Sequence, residues 1–211
     1  MNQQVTKRQY ILRHGEISGG SWFWWRVGHI VSANRDDPPL SENGMAKSEK
    51  LGKKILEDGF IPDVIVVSPF IRCIETASQI QQSFATQPRI IIEPLLGEYQ
   101  WLPMKQACAS YPNGLPEKYL SSDGSEKIFT YPETLENFHE RCNFIEKEVF
   151  NKYGNAIFVT HMSPVCYFAN YYAKLPLDTP TTIHFSDYLI VTTKINEESS
   201  EVETDVKVIN W

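Results

Sequence analysis

Three short segments carry side chains suited to holding an anion: Arg13-His14-Gly15, Ser68-Pro69 with Arg72, and Thr160-His161. Each follows or closes a short apolar run, at residues 9–12, 64–67 and 156–160, rich in β-branched residues and bounded by turn or charged residues. Such runs read as central strands of a parallel sheet. In an open α/β sheet, ligands bind beyond the carboxyl ends of the strands, where the first amides of the following helices favour negative charge. Two arginines and two histidines gathered there make a pocket for a phosphoryl group, because guanidinium forks match its oxygens.

The elements that must position these residues alternate along the chain. Residues 89–92 read as a fourth central strand, and residues 188–193 with 206–209 as an added edge pair. Leu135, Phe138, Cys142, Ile145 and Val149 recur at steps of three and four, which places one apolar helical stripe on the sheet. Ile71, Ile74, Ala77, Ile80 and Phe84 form a second stripe, with Ser68 as its expected capping hydroxyl and Pro69 set for a first turn. A third helix is expected from Leu40-Ser41 to about Leu56. Two stretches, 17–36 and 99–132, carry scattered Gly, Ser or Pro with many aromatics and read as excursions from the sheet edge. The fold class is therefore α/β: one domain over residues 1–211, three layers (α/β/α), a mainly parallel central sheet and insertions at about 17–36 and 99–132.

Composition narrows the partners. With 211 residues, 42% hydrophobic, a sizeable core can be buried, and a net charge of -6 without any basic run argues against nucleic acid and anionic lipid. No stretch approaches the roughly 18 apolar residues of a membrane span. Cys73, Cys108, Cys142 and Cys166 form no C-x-x-C pair and read as free thiols, which suits a reducing, cytoplasmic setting.

Five ordered motifs carry a resemblance: Arg13-His14-Gly15-Glu16, Asp37-Pro38-Pro39-Leu40-Ser41-Glu42-Asn43-Gly44, the run from Ser68-Pro69 through Arg72 to Ala77, Leu96-Gly97-Glu98-Tyr99, and Val159-Thr160-His161. In order and spacing the chain resembles the phosphoglycerate mutase-like histidine phosphatases over about residues 8–170. Within them its layout is most similar to the phosphatase domain of the TULA, or suppressor of T-cell receptor signalling, proteins. The Trp-bearing insert after R-H-G-E and the stretch from Glu93 to Trp101 carry that narrower likeness.

The resemblance implies a phosphatase working through a phosphohistidine. His14 would be the nucleophile. Arg13, Arg72 and His161 would bind the phosphoryl oxygens, His161 as a donor, and Glu98, its pKa raised by burial beside phosphate, would serve as general acid and then base. Its place in L-G-E-Y favours Glu98 over nearby Glu93. Neither a metal nor a cofactor is implied; the partner is a phosphorylated small molecule or phosphoprotein, and a homodimer is left open. Trp22, Trp24 and Trp25 are candidates for an aromatic wall against a bulky leaving group, with plugging the loop onto the domain as the alternative. Asp37 is expected to fix the turn into the Ser41 helix, Gly44 to allow close packing, and Glu133 and Arg141 to brace the pocket from outside. His29, His139 and His184 carry no motif context and read as ordinary histidines.

Two departures refine this. Gly20 and Tyr99-Gln100-Trp101 stand where the mutase branch has an Asn and a basic, tyrosine-containing stretch, which argues against mutase transfer. Ile17 stands where the TULA pattern has Arg, which removes one contact expected for phosphotyrosine. The rival reading is a non-catalytic phospho-ligand module on the same fold, against which the intact five residues argue.

Overall fold

The structure, a computed structural model, describes residues 4–18, 37–99, 132–196 and 202–211. Its elements run β1 (Gln4–Arg13), α1 (Glu42–Glu57), β2 (Val64–Val67), α2 (Ile71–Gln81), β3 (Arg89–Ile92), α3 (Leu135–Phe144), β4 (Ala156–Thr160), α4 (Met162–Tyr172), β5 (Tyr188–Asn196) and β6 (Val202–Ile209). Period-two alternation on β1, β2 and β4 creates two apolar faces. Ile11, Val66 and Phe158 join Phe138, Cys142 and Phe168 of α3 and α4 in one core. Leu12, Val67 and Val159 join Leu51, Ile55, Ala77 and Ile80 of α1 and α2 in the other. Helices on both faces of one sheet give the three layers read from the sequence.

The six strands lie in the order β3-β2-β4-β1-β5-β6. The pairings β3–β2, β2–β4 and β4–β1 are parallel, and β1–β5 and β5–β6 antiparallel, so the sheet is mixed with a parallel half. This order places the ends of β2, β4 and β1 side by side. Arg13 stands opposite Thr160, and Val67 opposite Val159. The ladder then continues for one more step: the His14 N–H donates to the Thr160 carbonyl and the Ser68 N–H to the Val159 carbonyl, both at 3.0 Å. His14, Ser68 and His161 thus leave the sheet together.

Several local expectations are corrected. Ser68 does not cap α2; Phe70 occupies the cap position without a side-chain bond, and the Ile71 N–H donates to both carboxylate oxygens of Asp37 at 2.9 and 3.1 Å. Asp37 therefore serves α2, while Ser41 caps α1 by accepting from the Gly44 N–H at 3.0 Å. Leu135, placed on the buried stripe of α3, is exposed, and Arg141 is buried instead. The helix continues beyond Phe144 as a π-turn over Ile145–Phe150, whose wider winding brings Ile145, Val149 and Phe150 all inward. Helix α4 was not anticipated. Cys73 and Cys142 are buried free thiols and Cys166 a partly exposed one. Cys108, His29 and the tryptophans Trp22, Trp24 and Trp25 lie outside the described residues, as do the inner parts of both insertions. No helix among the described residues is long and apolar enough to cross a membrane.

Gly44 fixes how closely α1 approaches the loop after β1. A Cβ there would overlap the Glu16 carbonyl oxygen, a backbone atom that cannot swing away. That carbonyl accepts from the Ser41 N–H at 2.8 Å. Gly44→Ala would gain about 1 kcal/mol of helix propensity, yet the clash should outweigh it and leave a net loss of about 1–3 kcal/mol. Urea denaturation should show a lower midpoint at unchanged slope; a midpoint equal to or above the parent's would contradict this packing.

Candidate active site

His14 is nearly buried, and its ring is held by a bond that decides its tautomer. Nδ1 lies 2.8 Å from the Gly15 carbonyl, which can only accept, so Nδ1 carries the proton. Nε2 is left with a lone pair, and the Arg72 Nε–H donates to it at 3.2 Å. His161 is fully buried and held in the opposite sense. Arg72 Nη2 lies 3.2 Å from its Nδ1, and since guanidinium only donates, Nδ1 is the acceptor. The Nε2–H then donates to the Ser68 hydroxyl at 2.8 Å. One guanidinium spans two neutral imidazoles, whose centroids are 5.3 Å apart.

Burial pushes both histidines well below their ordinary pKa of 6.5. The charge of Arg72 adds to this at each ring, and Arg13 contributes further. The Gly15 carbonyl opposes it at His14 without reversing it. Cys73 Sγ sits 3.5 Å from His161 Nε2, but burial pushes its pKa up to about 12, so it is a thiol at neutral pH.

Arg72 is aimed by two groups that the sequence reading did not connect to it. Asp37 receives its Nη1 at 3.4 Å, and its guanidinium lies over the Phe70 ring at 4.4 Å. Arg13 is aimed from across the sheet. Its Nη1 donates to the Ile183 carbonyl at 2.6 Å and its guanidinium lies 4.1 Å over Phe185. Its Nε is buried and has no hydrogen-bond partner among the described residues. Phe185 also stands 5.7 Å from the His14 ring, and the Ser186 N–H donates to the His14 carbonyl at 3.2 Å. The turn from Ile183 to Asp187 is thus part of the site and was missed, because nothing in its sequence marks a contact 170 residues away.

Glu98 follows a short helical turn at Pro94–Leu96. Its Oε1 accepts the N–H of Tyr99 at 2.9 Å and of Ser163, in the first turn of α4, at 3.1 Å. Two N–H donors make Oε1 an acceptor in either protonation state, so any proton on this carboxyl rides on Oε2. Glu93 accepts instead from the Leu95 N–H at 3.1 Å, as the cap of that turn. His139 lies against Tyr167 at 5.3 Å, and His184 is exposed. Among the described residues, no group of three or more His, Cys, Asp or Glu side chains is gathered as metal ligands would be. The arrangement can bind a tetrahedral oxyanion and offer it one imidazole lone pair.

The chain matches the model of the histidine phosphatase superfamily (branch 1) over residues 9–205. It belongs to that superfamily. It is 34% identical over 183 residues to an uncharacterized phosphoglycerate mutase family protein of Acanthamoeba polyphaga mimivirus, spanning 83% of this chain and 85% of that one. It is 22% identical over 199 residues to the ecdysteroid-phosphate phosphatase of Drosophila melanogaster, of whose length it covers a quarter, 25%, with 74% of its own. The crystal structure of the Bombyx mori ecdysone phosphate phosphatase in complex with tungstate shares the fold, with a TM-score of 0.58 at 17% identity over 97% of this chain and 92% of that one.

Two buried neutral histidines link stability to pH. Their pKa values lie below the ordinary 6.5 in the fold and return to about 6.5 on unfolding, so between those values the unfolded chain binds more protons. Stability should be full above neutrality and fall as pH drops below about 6.5, by up to about 1.4 kcal/mol per pH unit for each histidine. Denaturation midpoints from pH 7.5 to 5 in phosphate-free buffer should show the decline, and His161→Gln should flatten it. A flat profile in the parent would contradict neutral burial.

Proposed function

We propose that this chain is a phosphate monoester hydrolase acting through a phosphohistidine on His14, with bulky organic phosphate esters as its substrate class. The observation that carries the reading is the His14 ring itself: its proton is tied to Gly15, and its Nε2 lone pair faces an arginine fork. An arriving phosphoryl group competes for the donors of Arg72 and meets the unspent Nε of Arg13. The Nε2 lone pair then forms the N–P bond as the P–O ester bond breaks, and Glu98 Oε2 gives its proton to the leaving oxygen. In the second half, Glu98 takes a proton from water, the water oxygen bonds to phosphorus, and the N–P electron pair returns to Nε2. Inorganic phosphate leaves and Glu98 is protonated again.

His161 needs one adjustment for this chemistry. With no anion present its Nδ1 accepts from Arg72. To donate to a phosphoryl oxygen it must carry a proton there. The Ser68 hydroxyl allows this, because it can turn from accepting the Nε2–H to donating into Nε2. The likeness to the Drosophila ecdysteroid-phosphate phosphatase supports a bulky ester, as does the aromatic insert around Trp22, Trp24 and Trp25. The unpaired thiols support a reducing, cytoplasmic setting.

Rapid quench with labelled p-nitrophenyl phosphate in chelator should trap an acid-labile, base-stable adduct. His14→Ala should lose adduct and turnover by more than about 10³-fold while keeping the parent melting transition. Adduct retained on another residue would overturn the assignment, and label passed to an added phosphate acceptor would mark a mutase.

Glu98→Gln should slow hydrolysis of an alkyl phosphate by about 10²–10⁴-fold and that of p-nitrophenyl phosphate much less, since p-nitrophenolate departs without a proton. Phosphoenzyme should accumulate with the activated ester. Equal slowing across a leaving-group series, without accumulation, would remove Glu98 from the acid role.

A further inference from the structure

The four carbonyls from Leu95 to Glu98 belong to the end of the short helical turn and the two residues after it, and among the described residues side chains bind them rather than a sheet ladder. Arg141 Nη1 donates to the Leu95 carbonyl at 2.6 Å and to the Gly97 carbonyl at 2.9 Å, and its Nη2 donates to the Glu98 carbonyl at 3.4 Å. The Thr160 hydroxyl donates to the Leu96 carbonyl at 2.6 Å. The remaining Arg141 donors, at Nε and Nη2, meet the two oxygens of Glu133 at 2.8 Å each. All five N–H bonds of one guanidinium are therefore used, and both members of the ion pair are buried.

We infer that Arg141, aimed by Glu133, and Thr160 are positioning residues that set the general acid by fixing the backbone from which Glu98 leaves. A buried ion pair is a poor stabiliser, because desolvation offsets its attraction and an apolar replacement of the same size often serves as well. What an apolar pair could not do is hold the three carbonyls of Leu95, Gly97 and Glu98 at once. The Glu98 carboxyl is already fixed at one oxygen by the Ser163 N–H. With its carbonyl fixed as well, the direction of Oε2 is determined at both ends of the residue. Thr160 adds a second constraint, since it precedes His161 and so ties the acid's segment to the strand end that carries the oxyanion site. Proton transfer in the transition state tolerates little displacement, and about 1 Å of misplacement is worth roughly a hundredfold in rate.

This inference rests on the reading of Glu98 as the acid, and the experiment separates the two. Arg141→Lys keeps the charge but not the fork, and Thr160→Val keeps the shape but not the hydroxyl. Each should slow hydrolysis of 2-glycerophosphate by about tenfold or more and that of p-nitrophenyl phosphate by less than about threefold, a fraction of the full acid contribution. Inhibition by tungstate, which reports the pocket of Arg13, Arg72 and His161, should stay within about twofold of the parent. In the Glu98→Gln background neither substitution should slow 2-glycerophosphate further, because the group they position is gone. Equal losses on both esters, or a full additional loss on top of Glu98→Gln, would make these residues merely structural and overturn the inference. Should Arg141→Lys fail to show the parent's melting transition, the same outcomes are read from Thr160→Val. Absence of leaving-group selectivity in Glu98→Gln alone would instead overturn the acid assignment, and the inference with it.

Discussion

The neutrality of two imidazoles beside one guanidinium is the constraint on which the rest of the site depends. Arg72 can only donate, so each histidine it touches must present a lone pair to it. That requirement fixes opposite tautomers, with the proton on Nδ1 of His14 and on Nε2 of His161. Each proton then needs an acceptor in a dry interior, and the chain supplies the Gly15 carbonyl and the Ser68 hydroxyl. The Gly15 carbonyl can lie there only because the loop after β1 is held from outside. Its N–H donates to the Thr76 hydroxyl at 3.0 Å, and Gly44 lets α1 pack directly on the next residue. Arg72 in turn stays in plane through Asp37 and Phe70. A helix cap, a close helix-to-loop contact and a strand-end hydroxyl thus act on the same two rings.

Much of the frame is legible in the sequence, for identifiable reasons. β2 and β4 have the boundaries read from their β-branched runs, because strands buried on both faces leave few polar positions to confuse the pattern. β3 also has the boundaries read from its isoleucine run, but it is an edge strand with Arg89 exposed, not the central strand expected. β1 is longer than its apolar run. Its first half, Val5-Thr6-Lys7-Arg8, is polar and pairs only with β5, whose contribution cannot be seen locally. α4 escaped for the opposite cause. It buries Pro164, Val165, Tyr167, Phe168, Ala169 and Asn170, so it has no single apolar stripe, and Pro164, tolerated in its first turn, reads locally as a helix breaker. In α3 the stripe reading placed Leu135 inside, where it is exposed, and although Arg141 and Glu133 were expected to brace the pocket from outside, their burial as a pair was not foreseen.

The site divides the same way. His14, Arg72 and His161 could be brought together on paper because a parallel sheet gathers the carboxyl ends of adjacent strands. Their supports could not. Asp37 reaches Arg72 across 35 residues, and the Ile183 carbonyl reaches Arg13 across 170. The turn holding Ile183 also lacks the usual sign of an unusual backbone: Ser186, not glycine, takes the left-handed conformation at φ 67°. Its neighbour Asp187 stabilises that turn by accepting from the His184 and Trp211 N–H groups at 2.7 and 2.8 Å.

This turn also explains why the two arginines are not equivalent. Left-handed serine costs about 1–3 kcal/mol, and the buried Arg13 Nε and Ser186 Oγ, which have no partner among the described residues, each cost about as much again. Arg72, in contrast, already gives three of its five N–H bonds to Asp37, His14 and His161. An anion entering the proposed site would therefore meet two different donors. Arg13 Nε has no partner among the described residues, whereas the Arg72 Nε–H must leave the His14 Nε2 lone pair before phosphorus can reach it. The first contact favours binding directly. In the proposed mechanism, an oxyanion that draws the Arg72 Nε–H to itself uncovers the Nε2 lone pair of His14, so the group that covers that lone pair at rest would also be the one that exposes it to phosphorus.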